Sequence, residues 1–473
     1  MKIGKPSLSG RGGRNNFAVL ALFCVVAATL SSAQTFTTLA TFDGINGQGP
    51  DGVTQGFDGN LYGTTLGGGT NGVGTVFVFS RAGALKTLYS FCQSSQCAGY
   101  EPAAGVIQGK DGNFYGTTSG GGSYACGNGC GAVYKITNSG DVTTLHTFAI
   151  DDGSLPQDAL MQATDGNFYG TTLQGSLNCT NPFFCYGTVF RMTPTGKLTT
   201  IHSFCLQLGC TDGAYPYAGV VQTTDGNLYG STSSTIFRIT PPNQFTTLYT
   251  FPRGSGVRGL VQGADGNLYG TTIGGGTNGQ GTIFQITLGG SLTTLYNFCS
   301  MTNCLDGSVP MSMIQATDGN FYGTTESGGA NCSPSGCGTV FSFTPAGKLT
   351  TLYSFCAETN CPDGAFPAAD LMQAADGNFY GTTQYTLFSL STGLVPFVKL
   401  TQPMGKVGQS GGILGQGFTG TTGVFLNGTP ASFTVVSDTY IRATVPAGAA
   451  SGFVTVNTPT GTLTSNVQFH VMP

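Results

Sequence analysis

The strongest constraint on this chain is an octapeptide, DGN(F/L)YG(T/S)T. It occurs seven times, starting at Asp58, Asp111, Asp165, Asp225, Asp265, Asp318 and Asp376. Successive starts lie 53, 54, 60, 40, 53 and 58 residues apart. A unit of this length buries too little surface to fold alone, so the copies must stack or close into a ring.

The unit at 102–148 shows the local pattern. Ala103 to Gly109 is a short apolar run that leads into Asp111-Gly112. Asp-Gly between two β-prone runs is a hairpin signal, because glycine accepts the positive φ of a tight turn. Asn113 to Thr118, Gly131 to Thr137 and Val142 to Phe148 then read as the second, third and fourth strands. Four short antiparallel strands per repeat is the pattern of a propeller blade. The fourth-strand run TTLxxF first appears at Thr37 to Phe42, before the first DGN, and none follows the last DGN. The expected fold is therefore all-β: a seven-bladed β-propeller over residues 34–395, its last blade completed by the N-terminal strand. That closure removes open sheet edges.

The ends suggest a compartment. Residues 1–33 read as a signal peptide, with Lys2, Lys5, Arg11 and Arg14 before an apolar stretch and a Ser-Ser-Ala end. Without them the chain carries 13 basic and 21 acidic residues, a net charge of 13 − 21 = −8. An acidic chain with no basic cluster argues against nucleic-acid binding. No later run is long and apolar enough for a membrane span. The mature chain is expected to be monomeric, exported, and secreted, periplasmic or held at the cell surface.

Apart from Cys24, the cysteines form seven close couples: Cys92/Cys97, Cys126/Cys130, Cys179/Cys185, Cys205/Cys210, Cys299/Cys304, Cys332/Cys337 and Cys356/Cys361. An even count in an exported chain implies disulfides, here paired locally. Three histidines and no CxxC weigh against zinc, so neither metal nor cofactor is expected. Four couples follow the fourth strand and three precede the third. In a four-stranded meander both connections lie on one face, which becomes the long-looped, stapled face. The loop between the second and third strands is nearly absent at Ser233-Ser234 and at Gln384-Tyr385, so the fourth and seventh blades form low walls.

Several recurring polar residues invite a functional reading. The DGN aspartates lack the spacing of a calcium loop and are explained by turn chemistry. A glutamine three residues before each DGN (Gln55, Gln108, Gln162, Gln222, Gln262, Gln315, Gln373) suits a repeated bond between blades. Asp152, Asp212, Asp306 and Asp363 open AspGlyXxxXxxPro loops into the innermost strand. Glu101 is a looser relative, and the fifth copy carries Arg253 and Arg258 instead. These seven are the candidate ligand-binding residues, a partial acidic ring with one basic sector. The competing reading is a turn in which Asp caps its own backbone. No Ser-His-Asp or metal-ligand spacing emerges, and no catalytic residue is assigned.

From Phe397 onward the repeat gives way to short strands with Gly/Pro turns, the pattern of a small β-sandwich. The DGNxYGTT, GTVF and TTLYSF runs over about residues 36 to 395 resemble the GloVer ("choice-of-anchor") tandem-repeat family of exported bacterial proteins. The segment 396–473 resembles an IPT/TIG immunoglobulin-like domain through GlyGlnGlyPhe at 415–418, PheLeuAsnGlyThrProAla at 425–431, ValProAlaGlyAla at 445–449 and SerGlyPheValThrVal at 451–456. The second resemblance implies a spacer or interaction module. The first carries no chemistry. The expected function is non-catalytic binding of a surface glycan or protein. The alternatives are an exported carbohydrate-active hydrolase or lyase with acids at the channel mouth, and a structural envelope protein.

Overall fold

The computed structural model describes residues 34–92, 99–123, 126–127, 129–176, 185–206, 209–332 and 336–472. The signal-peptide expectation at 1–33 lies outside these residues, as do Cys97 and Cys179. Among the described residues there is no α-helix, and a single 3-10 turn covers Thr302–Cys304. No helix there is long and apolar enough to cross a membrane.

Seven four-stranded antiparallel sheets follow one another along the chain. In the first sheet the strands are Gln48–Gln55, Leu61–Gly67, Thr75–Phe79 and Leu85–Ser90, paired in that order. The seventh sheet is built from both ends of the repeat region. Met372–Gln373, Phe379–Thr382 and Thr386–Ser391 are followed by Thr35–Thr41, which pairs antiparallel with the third strand from Thr35↔Ser391 to Thr41↔Thr386.

The octapeptide is legible in atomic terms. Its Asp accepts hydrogen bonds from the Asn two residues on, and its Oδ2 also accepts the Tyr hydroxyl. That tyrosine bond recurs in all seven copies at 2.7 to 3.0 Å, from Tyr62–Asp58 to Tyr380–Asp376. The Gly after Tyr lies opposite the third-strand aromatic, as in Gly63↔Phe77. A Cβ there would come within 2.5 Å of the Phe77 ring, so only glycine lets the ring cross the strand. The apolar residues of neighbouring sheets fill the space between them. Phe91, Phe114 and Tyr134 pack in one such layer, and Phe298, Phe321 and Phe341 in another. Each layer is a sheet-on-sheet core rather than a share of one centre.

The glutamines link the sheets. Each side-chain oxygen accepts a backbone N–H from the preceding sheet: Phe57→Gln108, Lys110→Gln162, Thr164→Gln222, Thr224→Gln262, Ala264→Gln315, Thr317→Gln373 and Ala375→Gln55, at 2.7 to 3.1 Å. The series passes once through every sheet and returns to the first.

The first strands differ from expectation. Only Ile107–Gln108, Met161–Gln162 and Met372–Gln373 are paired in the second, third and seventh sheets. The residues before them run unpaired along a central cavity.

Five disulfides have both cysteines among the described residues: Cys126–Cys130, Cys205–Cys210, Cys299–Cys304, Cys332–Cys337 and Cys356–Cys361. The last two are neighbours, with all four sulfurs within 4.8 Å of one another. Asn331 brings their loops together, its amide donating to the carbonyls of Ser354 and Phe355 at 3.0 and 2.9 Å. Cys92 and Cys185 are disulfide-bonded as well, but Cys97 and Cys179, expected as their partners, lie outside the described residues. Cys185 is buried, at 7% exposure. The bridge between Gly175 and Tyr186 draws that end of the connection in against the third sheet, just ahead of the strand Thr188–Met192.

Residues 398–472 form a separate pair of sheets, one of four strands and one of five. Val398, Ile413, Phe418, Val424, Ile441, Val456 and Phe469 fill the space between them. The short strands here include Gly423–Leu426, Phe433–Ser437, Tyr440–Thr444 and Gly452–Thr458. Gly461–Met472 adds a twelve-residue strand that the sequence reading did not mark.

Candidate functional site

One cavity of about 1180 Å³ is lined by residues from the first strands of the seven sheets or from the segments that lead into them. Leu66 and Glu326, near the ends of second strands, and Ser119 and Gln384, in the connections that follow second strands, also line it. It therefore opens on the long-looped face. At the other end of the channel Ile107 also borders a second cavity of about 530 Å³, whose far wall is the C-terminal segment. That segment is tied on by the parallel Phe57–Tyr440 stack at 4.1 Å. The Thr439 hydroxyl also donates to the Phe57 carbonyl at 2.7 Å, and the Gln402 amide to the Ala163 carbonyl at 2.9 Å.

Four side chains give the larger cavity its chemistry. Counting back from the recurring glutamine, position −4 holds Asp51, Ala104, Asp158, Ala218, Arg258, Met311 and Ala369. Position −3 holds Gly or Ala except for Ser312 and Asp370. Three carboxyls and one guanidinium thus stand at positions where other copies place alanine, glycine, serine or methionine. Asp51 Oδ1 accepts the Gly52 N–H at 2.7 Å. Asp158 accepts the Ala159 N–H at 2.6 Å through Oδ1 and, across to the fourth sheet, the Gly219 N–H through Oδ2. Asp370 accepts the Ser312 hydroxyl of the sixth sheet. The Arg258 Nε–H is buried and has no hydrogen-bond partner.

Asp51 and Asp158 are half-buried and Asp370 is exposed, and all three line the cavity. Desolvation there pushes Asp51 up to about 7 from an ordinary 3.8. The charges of Asp158 and Asp370 add to the rise, and the Gly52 N–H opposes it. Asp158 is pushed up to about 6 by desolvation and by Asp370, against the Gly219 and Ala159 amides and Arg258. Asp370 is also raised by desolvation, with the Ser312 hydroxyl and Arg258 opposing. Groups tuned into this range exchange protons readily near neutrality.

Of the seven candidates read from sequence, Glu101 and Arg258 line this cavity. Arg253 is exposed and lies outside the lining. Asp152, Asp212, Asp306 and Asp363 are not among the lining residues either, because their carboxylates turn back onto their own loops. Asp152 accepts the Ala149 N–H at 2.8 Å and lies 2.9 Å from His146 Nε2. Asp212 accepts the Cys205 N–H and lies 2.9 Å from His202 Nε2. Asp306 accepts the Tyr296 hydroxyl at 2.7 Å and the Ser300 and Met301 amides. Asp363 accepts the Tyr353 hydroxyl at 2.8 Å and the Ala357 amide at 2.9 Å. His146 and His202 therefore do the work of Tyr296 and Tyr353. The sequence reading missed Asp51, Asp158 and Asp370. Their signal was departure from the repeat rather than recurrence within it.

The rim carries aromatic rings. Tyr217 of the fourth sheet and Phe366 of the seventh line the cavity and stay 41% and 38% exposed. Phe366 is held with φ +54, and its N–H donates to the Cys337 carbonyl of the sixth sheet at 2.9 Å.

The sequence pattern described as the Gloeobacter/Verrucomicrobia repeat matches residues 24–234 and 231–429. None of the curated proteins matches. Among solved structures, a streptogramin B lyase superposes with a TM-score of 0.55 at 18% identity, covering 76% of this chain and 97% of that one. Virginiamycin B lyase from Staphylococcus aureus gives 0.55 at 15%, over 76% and 99%. An extracellular domain assigned to a one component system of B. thetaiotaomicron gives 0.53 at 11%, over 91% of this chain and 47% of that one. At these identities the likeness establishes a propeller-like fold. The several disulfides among the described residues fit an oxidising compartment.

Proposed function

The chain belongs to the Gloeobacter/Verrucomicrobia repeat family, and on that footing we propose that it is an exported glycan-binding protein. In this reading residues 34–395 form a seven-bladed propeller, and 396–473 an immunoglobulin-like domain of IPT/TIG type that closes the far end of the channel. The observation that carries it is the sharing of one cavity by exposed rings and hydrogen-bonding side chains. Tyr217 and Phe366 offer flat apolar faces, and Asp51, Glu101, Asp158, Glu326, Asp370 and Arg258 stand beside them. A sugar ring has an apolar C–H face and an equatorial belt of hydroxyls. Aromatic faces take the first, and carboxylates accept the second in pairs. A concave site with a few convergent polar groups is where such recognition is built. The test is a glycan and polysaccharide array probed with the full chain from an exporting host. Reproducible binding to one glycan class supports the reading, and a blank array removes it.

A second reading is favoured by one specific observation, the raised Asp51 and Asp158 carboxyls. Such a pair has the protonation behaviour of a general acid and base, as a carbohydrate-active hydrolase or lyase requires. Two of the similar structures are lyases, which at their identity lends the fold only. Turnover of a bound glycan, abolished in Asp51→Asn and Asp158→Asn, would favour this reading over binding alone.

A further inference from the structure

The two cavities carry opposite charge. The larger is lined by Asp51, Glu101, Asp158, Glu326 and Asp370 against one cation, Arg258. The cavity of about 530 Å³ lies between the repeat sheets and the C-terminal segment, and its charged lining is Lys110 and Arg442. Among the described residues no carboxylate lines it. Lys399 Nζ lies 3.5 Å from the carbonyl of Gln373, the seventh-sheet counterpart of the lining residues Gln108 and Gln162. A third cation therefore stands at this end of the channel.

The two lining cations come from opposite walls. Lys110 follows the strand Ile107–Gln108, in the turn that leads to Phe114–Thr118 of the second sheet. Arg442 lies on Tyr440–Thr444 of the C-terminal sheets. The neighbouring amides and one hydroxyl are already committed within the protein. Gln108, Gln162 and Gln402 donate to the carbonyls of Gly112, Gly166 and Ala163, and Thr401 donates to that of Gly412. The Lys110 ammonium is half-buried. Among the described residues the ion pairs are His146–Asp152 and His202–Asp212, so Lys110 and Arg442 are in none. Desolvation holds Lys110 below its usual range, and the Asp165 carboxylate, outside the lining, offsets only part of that. Arg442 is exposed. Burial raises the Tyr440 hydroxyl, and the Arg442 guanidinium beside it opposes the rise. A half-buried charge without a counter-charge is costly, and an incoming oxyanion supplies one.

The rest of the wall is largely apolar, with Phe57, Ile107, Leu160 and Met161. An inorganic ion fills little of such a space, since a water takes only about 30 Å³. Small-molecule sites run to about 300–1,000 Å³ and favour domain interfaces. We propose that this cavity binds a small organic oxyanion of about disaccharide size, its charged groups on Lys110 and Arg442 and its body against Leu160 and Met161. Arginine takes a carboxylate or phosphate through paired donors, and lysine meets one as a point charge. One cation belongs to the repeat sheets and the other to the C-terminal segment, so the ligand bridges the two. The glycan reading concerns the other cavity, and neither proposal depends on the other.

The test is calorimetric titration of the full chain with digalacturonate, glucose 6-phosphate and inorganic phosphate. At least one organic anion should bind, at least tenfold more tightly than inorganic phosphate. Digalacturonate alone would assign the site to acidic sugars, and glucose 6-phosphate alone to phosphate esters. Lys110→Gln and Arg442→Gln should each weaken binding about tenfold, the scale of one lost charge-assisted bond. Lys110→Arg should keep it, and so should Lys197→Gln, which removes an exposed cation outside the cavity. Without ligand both cavity glutamine variants should melt no lower than the wild type, because each removes a charge that has no partner. If either does not fold, Arg442→Lys decides in its place, since it keeps the charge, loses the paired donors and should still weaken binding. No binding of either organic anion would overturn the proposal. So would binding unchanged in Lys110→Gln and Arg442→Gln, or inorganic phosphate bound as tightly as the organic anions.

Discussion

The side-chain oxygen of Gln55 accepts the backbone N–H of Ala375 at 3.0 Å, across 320 residues of sequence. The same bond joins every other pair of consecutive sheets, so the junction where the chain's two ends meet is built like its interior. Gln55→Ala should therefore cost about what Gln222→Ala costs. Each leaves one amide without its partner, about 1–3 kcal/mol. Guanidinium denaturation of both variants checks this. A much larger loss for Gln55→Ala would identify a weak seam at the closing sheet.

The four AspGlyXxxXxxPro aspartates are expected to matter for stability and not for ligand. Asp306 is fully buried and accepts from Tyr296, Ser300 and Met301. Asp306→Ala leaves those donors unpaired and should lower stability by about 1–3 kcal/mol, with glycan affinity unchanged. A variant of normal stability that no longer binds would move Asp306 into the site.

Much of the fold was legible in the sequence because its instructions are local and repeated. Asp58, Asn60 and Tyr62 specify one turn within five residues, and that turn occurs seven times. The position of Thr37 to Phe42 ahead of the first turn announced the strand that completes the last sheet. The site was not legible in this way. Asp51, Asp158 and Asp370 acquire their chemistry only where the seven first strands and the segments leading into them converge, and no local pattern marks that convergence. Recurrence drew the reading to Asp152, Asp212, Asp306 and Asp363, and recurrence here signals a shared structural task. Among near-identical copies, asymmetric function falls to the positions that differ, such as Arg258 where other copies place alanine, methionine or aspartate.

Stability should fall as pH rises from about 4 to about 7. In the unfolded chain the aspartates titrate near 3.8, whereas folding raises Asp51 to about 7 and Asp158 to about 6. Between those values the unfolded state binds fewer protons than the folded state, so each unit of pH favours unfolding. Below the unfolded value both states are protonated and the effect vanishes. Above about 7 both are ionised and the loss is complete. Asp51→Asn and Asp158→Asn should flatten this slope in thermal melts taken across the range. A wild-type curve already flat between pH 4 and 7 would contradict the burial of these carboxyls.

The third-strand glycines should not tolerate a side chain. Gly281 has φ +98, and a Cβ there would lie 2.3 Å from the Thr272 carbonyl oxygen and 2.5 Å from Pro310 Cδ of the next sheet. Gly281→Ala should cost at least about 1–3 kcal/mol from overpacking, with backbone strain in addition. The yield of folded chain and its melting temperature check this. Wild-type stability would mean that neighbouring sheets pack less tightly at Pro310 than the structure shows.

The central claim is that the cavity carboxyls and rim rings hold a glycan. One array tests it most directly, probed at pH 7.5 with the wild type, Asp51→Asn/Asp158→Asn and Tyr217→Ala. The account predicts one glycan class bound by the wild type and weakened at least tenfold in both variants, each of them folded and at least as stable as the parent. A blank wild-type array would contradict it, and so would a glycan bound equally well by all three proteins.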